Sequence, residues 1–362
     1  AISSFGLFGG SSDIEQSFDP FNQQLVLGLA SGLTSAVQGN EAGKLKRGEI
    51  KDVVLNKRVF ITESFSTSSP SSKRTAREKF EAAASYLRKL RKWEEDVKTD
   101  KELKEPSKKG VDTTYVSVLK GEVRMKFSAD DQADLVEIAN LGLQYGFRPV
   151  IEGCGEGWTV ADLLGRAGIT AIVTPRYRRN KEENLVRKGG SSIENAAILH
   201  RSGVQVCVIP GSRGIDLGGI VGRDIMHLPI EAGFAVRGGL PEDAALQSIT
   251  IVPARLMGVD HRIGSIEVGK DCDLIVTDGD VLHYQTFVQW AVVDGKIAYD
   301  KQQELYFAHI RPRPETSVAP VKKIDAGETE PAAAESPEDP SGEEVKEPDK
   351  QEEEQESGGD GL

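Results

Sequence analysis

Apolar positions in the first two hundred residues fall into two alternating patterns, short runs suited to buried strands and longer stretches with helical spacing. Residues 1–7 form a short apolar run closed by Gly9, Gly10, Ser11 and Ser12, which predicts a buried strand ending in a loop. Asp19-Pro20 opens a helix through Leu25, Leu27 and Leu29 that stops at Gly32, and a strand follows over 33–38. The same reading predicts strands over 58–62, 122–128, 149–152, 170–174 and 204–209. Helices fall between them over 74–98, 129–145, 160–167 and 192–202. Strand and helix alternate throughout, so the fold class is α/β with a parallel sheet. Repetition of the unit favours a (β/α)8 barrel over an open sheet.

Beyond residue 240 the pattern changes. Pro241 sits at the start of one helix, and a second runs through Ala254-Arg255-Leu256-Met257. Strands are then predicted over 263–268, 273–277 and 288–293, and Asp294-Gly295 is a two-residue hairpin signal before Lys296-Ile297-Ala298-Tyr299. The expected organisation is a barrel over 1–258, strands of a small β-sandwich over 259–310, and a disordered acidic tail over 311–362.

Charge separates the tail from the rest. The chain has 45 Lys and Arg against 57 Asp and Glu, and the segment from Arg311 onward holds 16 of the acids and only 6 of the bases. Its Pro-, Glu- and Ser-rich composition has too few large apolar groups to offset chain entropy. The acidity therefore belongs to the tail, as a solubilising terminus or an interaction arm, and it disfavours a nucleic-acid partner. No apolar run approaches the roughly 18 to 20 residues of a membrane span, so the chain reads as soluble. Cys154, Cys207 and Cys272 are too few and too far apart for a disulfide framework or zinc knuckle.

Residues 73–109 carry 13 bases and 8 acids, the spacing of a solvated helix face laced with ion pairs, or of a partner surface. Arg176 and Arg178 follow a predicted barrel strand, and Arg213 follows the last one. All three are candidates for holding an anion at the mouth, because barrel sites lie at the C-terminal strand ends.

One long string is more specific. Ile249-Thr250-Ile251-Val252-Pro253-Ala254-Arg255-Leu256-Met257-Gly258 is followed by Arg262-Ile263-Gly264-Ser265-Ile266-Glu267-Val268-Gly269-Lys270-Asp271-Cys272-Asp273-Leu274-Ile275-Val276. Together they resemble the C-terminal signature of the amidohydrolase superfamily, closest to its imidazolonepropionase-like and related members. Val252 replaces an Asn and Cys272 an Ala of the usual pattern. The resemblance covers residues 1 to about 300 and implies a metal-dependent barrel beside a composite β-sandwich. It implies hydrolysis of non-peptide carbon–nitrogen bonds by a water held on zinc or another divalent metal.

The resemblance also implies where ligands should stand, and each position here holds something else. Ile2 and Ser4 occupy the first-strand His-X-His positions, Ser128 a fifth-strand His with Asp130 at the His that follows, Gly153 the sixth-strand His, and Gly211 the eighth-strand Asp. His200, His227, His261, His283 and His309 are scattered over elements that do not converge on one rim. Carboxylates at the mouth, Glu63, Asp130, Glu152 and Glu156, remain as a possible oxygen-ligand set. Glu63, Asp130 and Glu152 are the catalytic candidates.

The favoured expectation is a non-catalytic member of the superfamily with no cofactor, a binding or partner subunit beside an active paralogue or a second copy, with a small molecule or anion at the mouth. The rival is a hydrolase of non-peptide carbon–nitrogen bonds working through a non-standard or carboxylate metal site. Family members build half the sandwich from residues ahead of the first barrel strand. The chain therefore reads as a fragment, or as one whose exposed strands a partner chain covers, and the compartment stays open.

Overall fold

The computed structural model describes residues 13–66, 68–177, 190–210 and 228–304. The predicted strand over 1–7 and the acidic tail lie outside those residues.

Five strands form the central parallel sheet: β4 (Phe60–Glu63), β5 (Arg124–Ala129), β6 (Val150–Gly153), β7 (Thr170–Val173) and β8 (Gln205–Val208). They hydrogen-bond in the order β4-β5-β6-β7-β8. Neighbours in sequence are neighbours in space, with none of the order reversal of a doubly wound sheet, and the arrangement fits the wall of a TIM-like barrel.

Alternation along each strand assigns two faces. Met125, Phe127, Ile151, Ala171, Val173, Val206 and Val208 point outward into one apolar cluster with the helices. Phe60, Val150, Ile172 and Cys207 point the other way, into a second cluster with Val252, Ala254 and Leu256. The outer layer includes α3 (Pro70–Asp96), which starts with Ser69 capping Ser72 N and Pro70 in its first turn. Its buried residues, Ala76, Phe80, Ala83 and Tyr86, recur at helical spacing. Phe80 stacks on Tyr145 and Phe147, with ring centroids 5.1 and 4.7 Å away. The helices α4 (Thr113–Lys120), α5 (Gln132–Tyr145), α6 (Ala161–Arg166) and α7 (Asn195–Arg201) continue the layer. After residue 227 come α8 (Leu228–Arg237), α9 (Glu242–Ile249) and α10 (Ile251–Leu256).

Two small antiparallel sheets stand apart from the parallel one. Strands β1 (Ser35–Gln38), β2 (Glu41–Lys44) and β3 (Val54–Asn56) make the first. Strands β9 (Leu274–Thr277), β10 (Val288–Val293) and β11 (Lys296–Asp300) make the second, in the order β11-β10-β9. Both contribute to a third apolar cluster, with Ala36 and Val54 of the first sheet, Ala291, Val293 and Tyr299 of the second, Ile14 of α1 (Ile14–Ser17), and Leu25 and Leu29 of α2 (Gln23–Ala30).

Two expectations change. The strand predicted over 33–38 forms, but it pairs antiparallel with β2 and is no part of the parallel sheet. Its apolar residues would suit either pairing, and only the tertiary partner decides. The strand predicted over 263–268 is a loop: Arg262 N and Ile263 N both donate to Val259 O, and Asp271 N donates to Arg262 O, so the segment folds on itself. The hairpin at Asp294-Gly295 forms as predicted, with φ of 51° and 75° at the two residues, as a type I′ turn requires.

Candidate functional site

The C-terminal ends of β4 to β8 form a rim, and most of the described candidate residues lie there. On β5 the inward-facing positions are Arg124, Lys126 and Ser128, and on β6 they are Val150 and Glu152, by the alternation that sends Met125, Phe127 and Ile151 outward. Lys126 Nζ lies 2.8 Å from Glu152 Oε2, with both side chains largely buried. The same ammonium sits 5.4 Å from the centre of the Phe60 ring. A buried carboxylate facing inward is thus already matched by a cation from the same chain.

Asp130 and Gly153 occupy one cradle. Cys154 N donates to Ala129 O, Glu156 N to Asp130 O, and Gly155 N to Asp130 Oδ1 at 3.0 Å. Gly153 has φ of 102°, and a Cβ there would stand 2.6 Å from Asp130 Oδ1. Any larger residue at 153 must displace Asp130 and adopt a backbone conformation that L residues resist. Cys154 is wholly buried, and that burial pushes its thiol up to about 12, far from a reactive thiolate.

Glu156 is a buried fastener. Its carboxylate accepts from Gln132 N at 2.9 Å, capping α5 in place of Asp131, and from Gly190 N at 3.0 Å. Trp158 Nε1 donates to Gly190 O, so Gly190 is held through both its N–H and its carbonyl.

Glu63 does not join this group. Phe60 faces inward and Ile61 packs on the helix layer, so alternation turns Glu63 toward the helices, where it faces Tyr115 of α4. Burial, with the Glu63 carboxylate beside it, pushes the Tyr115 phenol up. Glu63 is therefore turned away from the mouth where the sequence predicts it, because it is one residue past Thr62, the inward position.

Arg176 is at the rim after β7, but its charge is engaged. Its backbone N and its Nε donate to the two oxygens of Glu231, at 2.9 and 2.7 Å, and its guanidinium lies over Phe234. Glu231 is completely buried in the first turn of α8, where the helix dipole favours a carboxylate. Arg178, Arg213, Ile2, Ser4 and Gly211 lie outside the described residues. Ser128 is exposed on β5, opposite Glu152 in register. Among the described residues, no three His, Cys, Asp or Glu side chains converge in a way that could hold a metal ion.

Sequence reasoning missed Lys126 and Glu231. Lys126 carried a signal, a cation at an inward position of an alternating strand. Glu231 carried none, because only the packing of α8 against the β7 end shows its partner.

The amidohydrolase family model matches residues 29–304, most of the chain. The chain belongs to the amidohydrolase family. A crystal structure of an amidohydrolase from Thermotoga maritima MSB8 aligns to this family member with a TM-score of 0.58 at 21% identity, over 83% of this chain and 85% of that one, which shows a shared fold. Amidohydrolase tasK of Hapsidospora irregularis is 35% identical over 94 residues, 26% of this chain and 10% of that protein. Urease subunit alpha of Yersinia pestis (strain Pestoides F) is 38% identical over 108 residues, 26% of this chain and 18% of its own length. The match thus spans less than a fifth of either curated relative.

Proposed function

We propose that this amidohydrolase-family chain closes into a barrel that works by binding rather than by metal-dependent hydrolysis. The observation that carries this reading is the Lys126–Glu152 pair on the inner face at the ends of β5 and β6. A divalent ion held there needs several deprotonated ligands aimed at one point. Glu152 is engaged by an ammonium, Ser128 offers a hydroxyl, and Gly153 offers no side chain. The Asp130 cradle leaves no room for a ligand at 153. The described residues at these strand ends do not fit the zinc site that the family implies.

What binds is a small molecule or anion at the mouth, or a partner chain such as an active paralogue or a second copy. Arg176 contributes less to an anion site than its position suggested, because Glu231 neutralises it. That role then falls to Arg178 and Arg213. A partner role is in keeping with one relative, which is by name the subunit of a larger enzyme.

One observation favours a second reading, hydrolysis of a non-peptide carbon–nitrogen bond at a carboxylate site: Asp130 and Glu152 stand at the ends of adjacent strands. Elemental analysis by plasma mass spectrometry separates the two, on protein purified without chelator and incubated with Zn²⁺, Mn²⁺ and Mg²⁺ in turn. The binding reading expects no retained metal. One or two tightly held ions per chain, lost together with amide-hydrolysing activity in Asp130→Ala, would overturn it.

A further inference from the structure

Arg124 and Lys126 are successive inward positions of β5, and Lys126 has its carboxylate in Glu152. Arg124, half-buried at the N-terminal end of the strand, has no such match. Lys126 and Val150 are register partners, so the same parallel register two residues back sets Arg148 beside Arg124. Neighbouring strands are about 4.8 Å apart, and the two side chains therefore start as close neighbours on one face. Arg148 runs on over Gly168, the next position in that row, where a Cβ would stand 3.5 to 3.6 Å from Arg148 Cγ, Cδ and Nε. A side chain at 168 would crowd the arginine, and glycine leaves it room.

Like charges set side by side oppose one another unless an anion lies between them. Burial draws the Arg124 pKa down and the Arg148 charge adds to that, while Asp260, four residues past α10, acts in the opposite direction. Among the described residues, neither guanidinium has an ion-pair or hydrogen-bond partner, Asp260 included. Two planar forks on adjacent strands suit a tetrahedral oxyanion, which can accept from both. We propose that Arg124 and Arg148 hold a small oxyanion of the phosphate class at the N-terminal end of the sheet, the end opposite the mouth. This site shares no residue with the rim, so it stands whether the mouth binds or hydrolyses.

Titration calorimetry with inorganic phosphate tests this, on the full chain in chloride buffer at constant ionic strength. Saturable binding is expected, weakened at least about tenfold in Arg148→Gln, which removes one charge-assisted fork. Arg148 is exposed, so its replacement leaves the fold intact, and circular dichroism checks that. Arg148→Lys keeps the charge without the fork and should bind with an affinity between the two. Asp260→Asn removes the acid that acts on Arg124 and should tighten phosphate binding. Absence of saturable binding, or binding that neither Arg148→Gln nor Asp260→Asn changes, would overturn the proposal. Binding that survives Arg148→Gln but is lost in Arg178→Gln with Arg213→Gln would overturn it in favour of the mouth, and would leave the binding reading above intact.

Discussion

At the scale of single residues, side-chain parity and backbone sign decide more than residue type does. Glu63 and Glu152 are both acids at the end of a barrel-type strand, yet one faces Tyr115 in the helix layer and the other faces Lys126 inside. Gly153 shows the same sensitivity. Gly153→Ala combines a φ of 102° with a Cβ 2.6 Å from Asp130 Oδ1, and should cost about 1–3 kcal/mol in urea unfolding, where an exposed glycine would cost little. Lys126→Met leaves Glu152 buried beside an apolar chain. A loss of stability is expected in urea unfolding, and Glu152→Gln in the same chain should recover part of it, since the carboxylate has lost its nearest ammonium.

At the scale of elements, the helix layer is held by close approaches and shared caps. In α6, a Cβ on Gly165 would stand 1.8 Å from Ser202 O, so this helix and the turn after α7 touch backbone to backbone. Gly165→Ala should destabilise by about 1–3 kcal/mol in denaturant melts, the cost of overpacking a site that cannot relax, even though alanine is the better helix former. These elements were largely legible beforehand. The helix predicted over 74–98 appears as Pro70–Asp96, and the strand over 149–152 as Val150–Gly153, because periodicity and breakers such as Pro70 and Gly146 act locally. Strands β2 and β3 and helix α4 were not legible. Ala42-Gly43-Lys44 has no strand pattern of its own, and its burial comes from the partners it meets.

At the scale of the whole molecule, one charged cluster joins distant parts of the sequence. Lys44 of β2 is wholly buried, 2.6 Å from Asp271 and 3.0 Å from Asp273, and it also pairs with Asp294. Lys46 pairs with Asp294, and Arg262 with Asp271 at 2.8 Å, so three cations meet three anions. Burial works against the charge on Lys44, but its bonds to Asp271, Asp294 and Asp273 outweigh that and raise its pKa. Burial likewise raises Asp271 and Asp294, and Lys44, with Arg262 at Asp271 and Lys46 at Asp294, more than reverses it, so both end below the ordinary aspartate value of 3.8. The sign follows for each group. The aspartates stabilise the fold fully above pH 3.8 and lose that contribution as pH falls through their depressed values. Lys44 stabilises fully below 10.5 and loses its contribution as pH rises through its raised value. Thermal melts should show a stability plateau between those limits that Lys44→Met abolishes, with a loss of about 3–5 kcal/mol at neutral pH.

The sequence by itself determined the α/β alternation, the hairpin at Asp294-Gly295 and the family signature through Val276, because turn chemistry and hydrophobic period are properties of neighbours along the chain. It also carried the absence of histidine at Ser128 and Gly153, which needs no coordinates to read. Tertiary structure alone decided which way Glu63 and Glu152 point, that strand 35–38 pairs antiparallel, and that Glu152 and Arg176 have partners in Lys126 and Glu231. Those outcomes depend on residues 26 and 55 positions apart meeting in space, and a contact at that separation leaves no periodic trace in the chain.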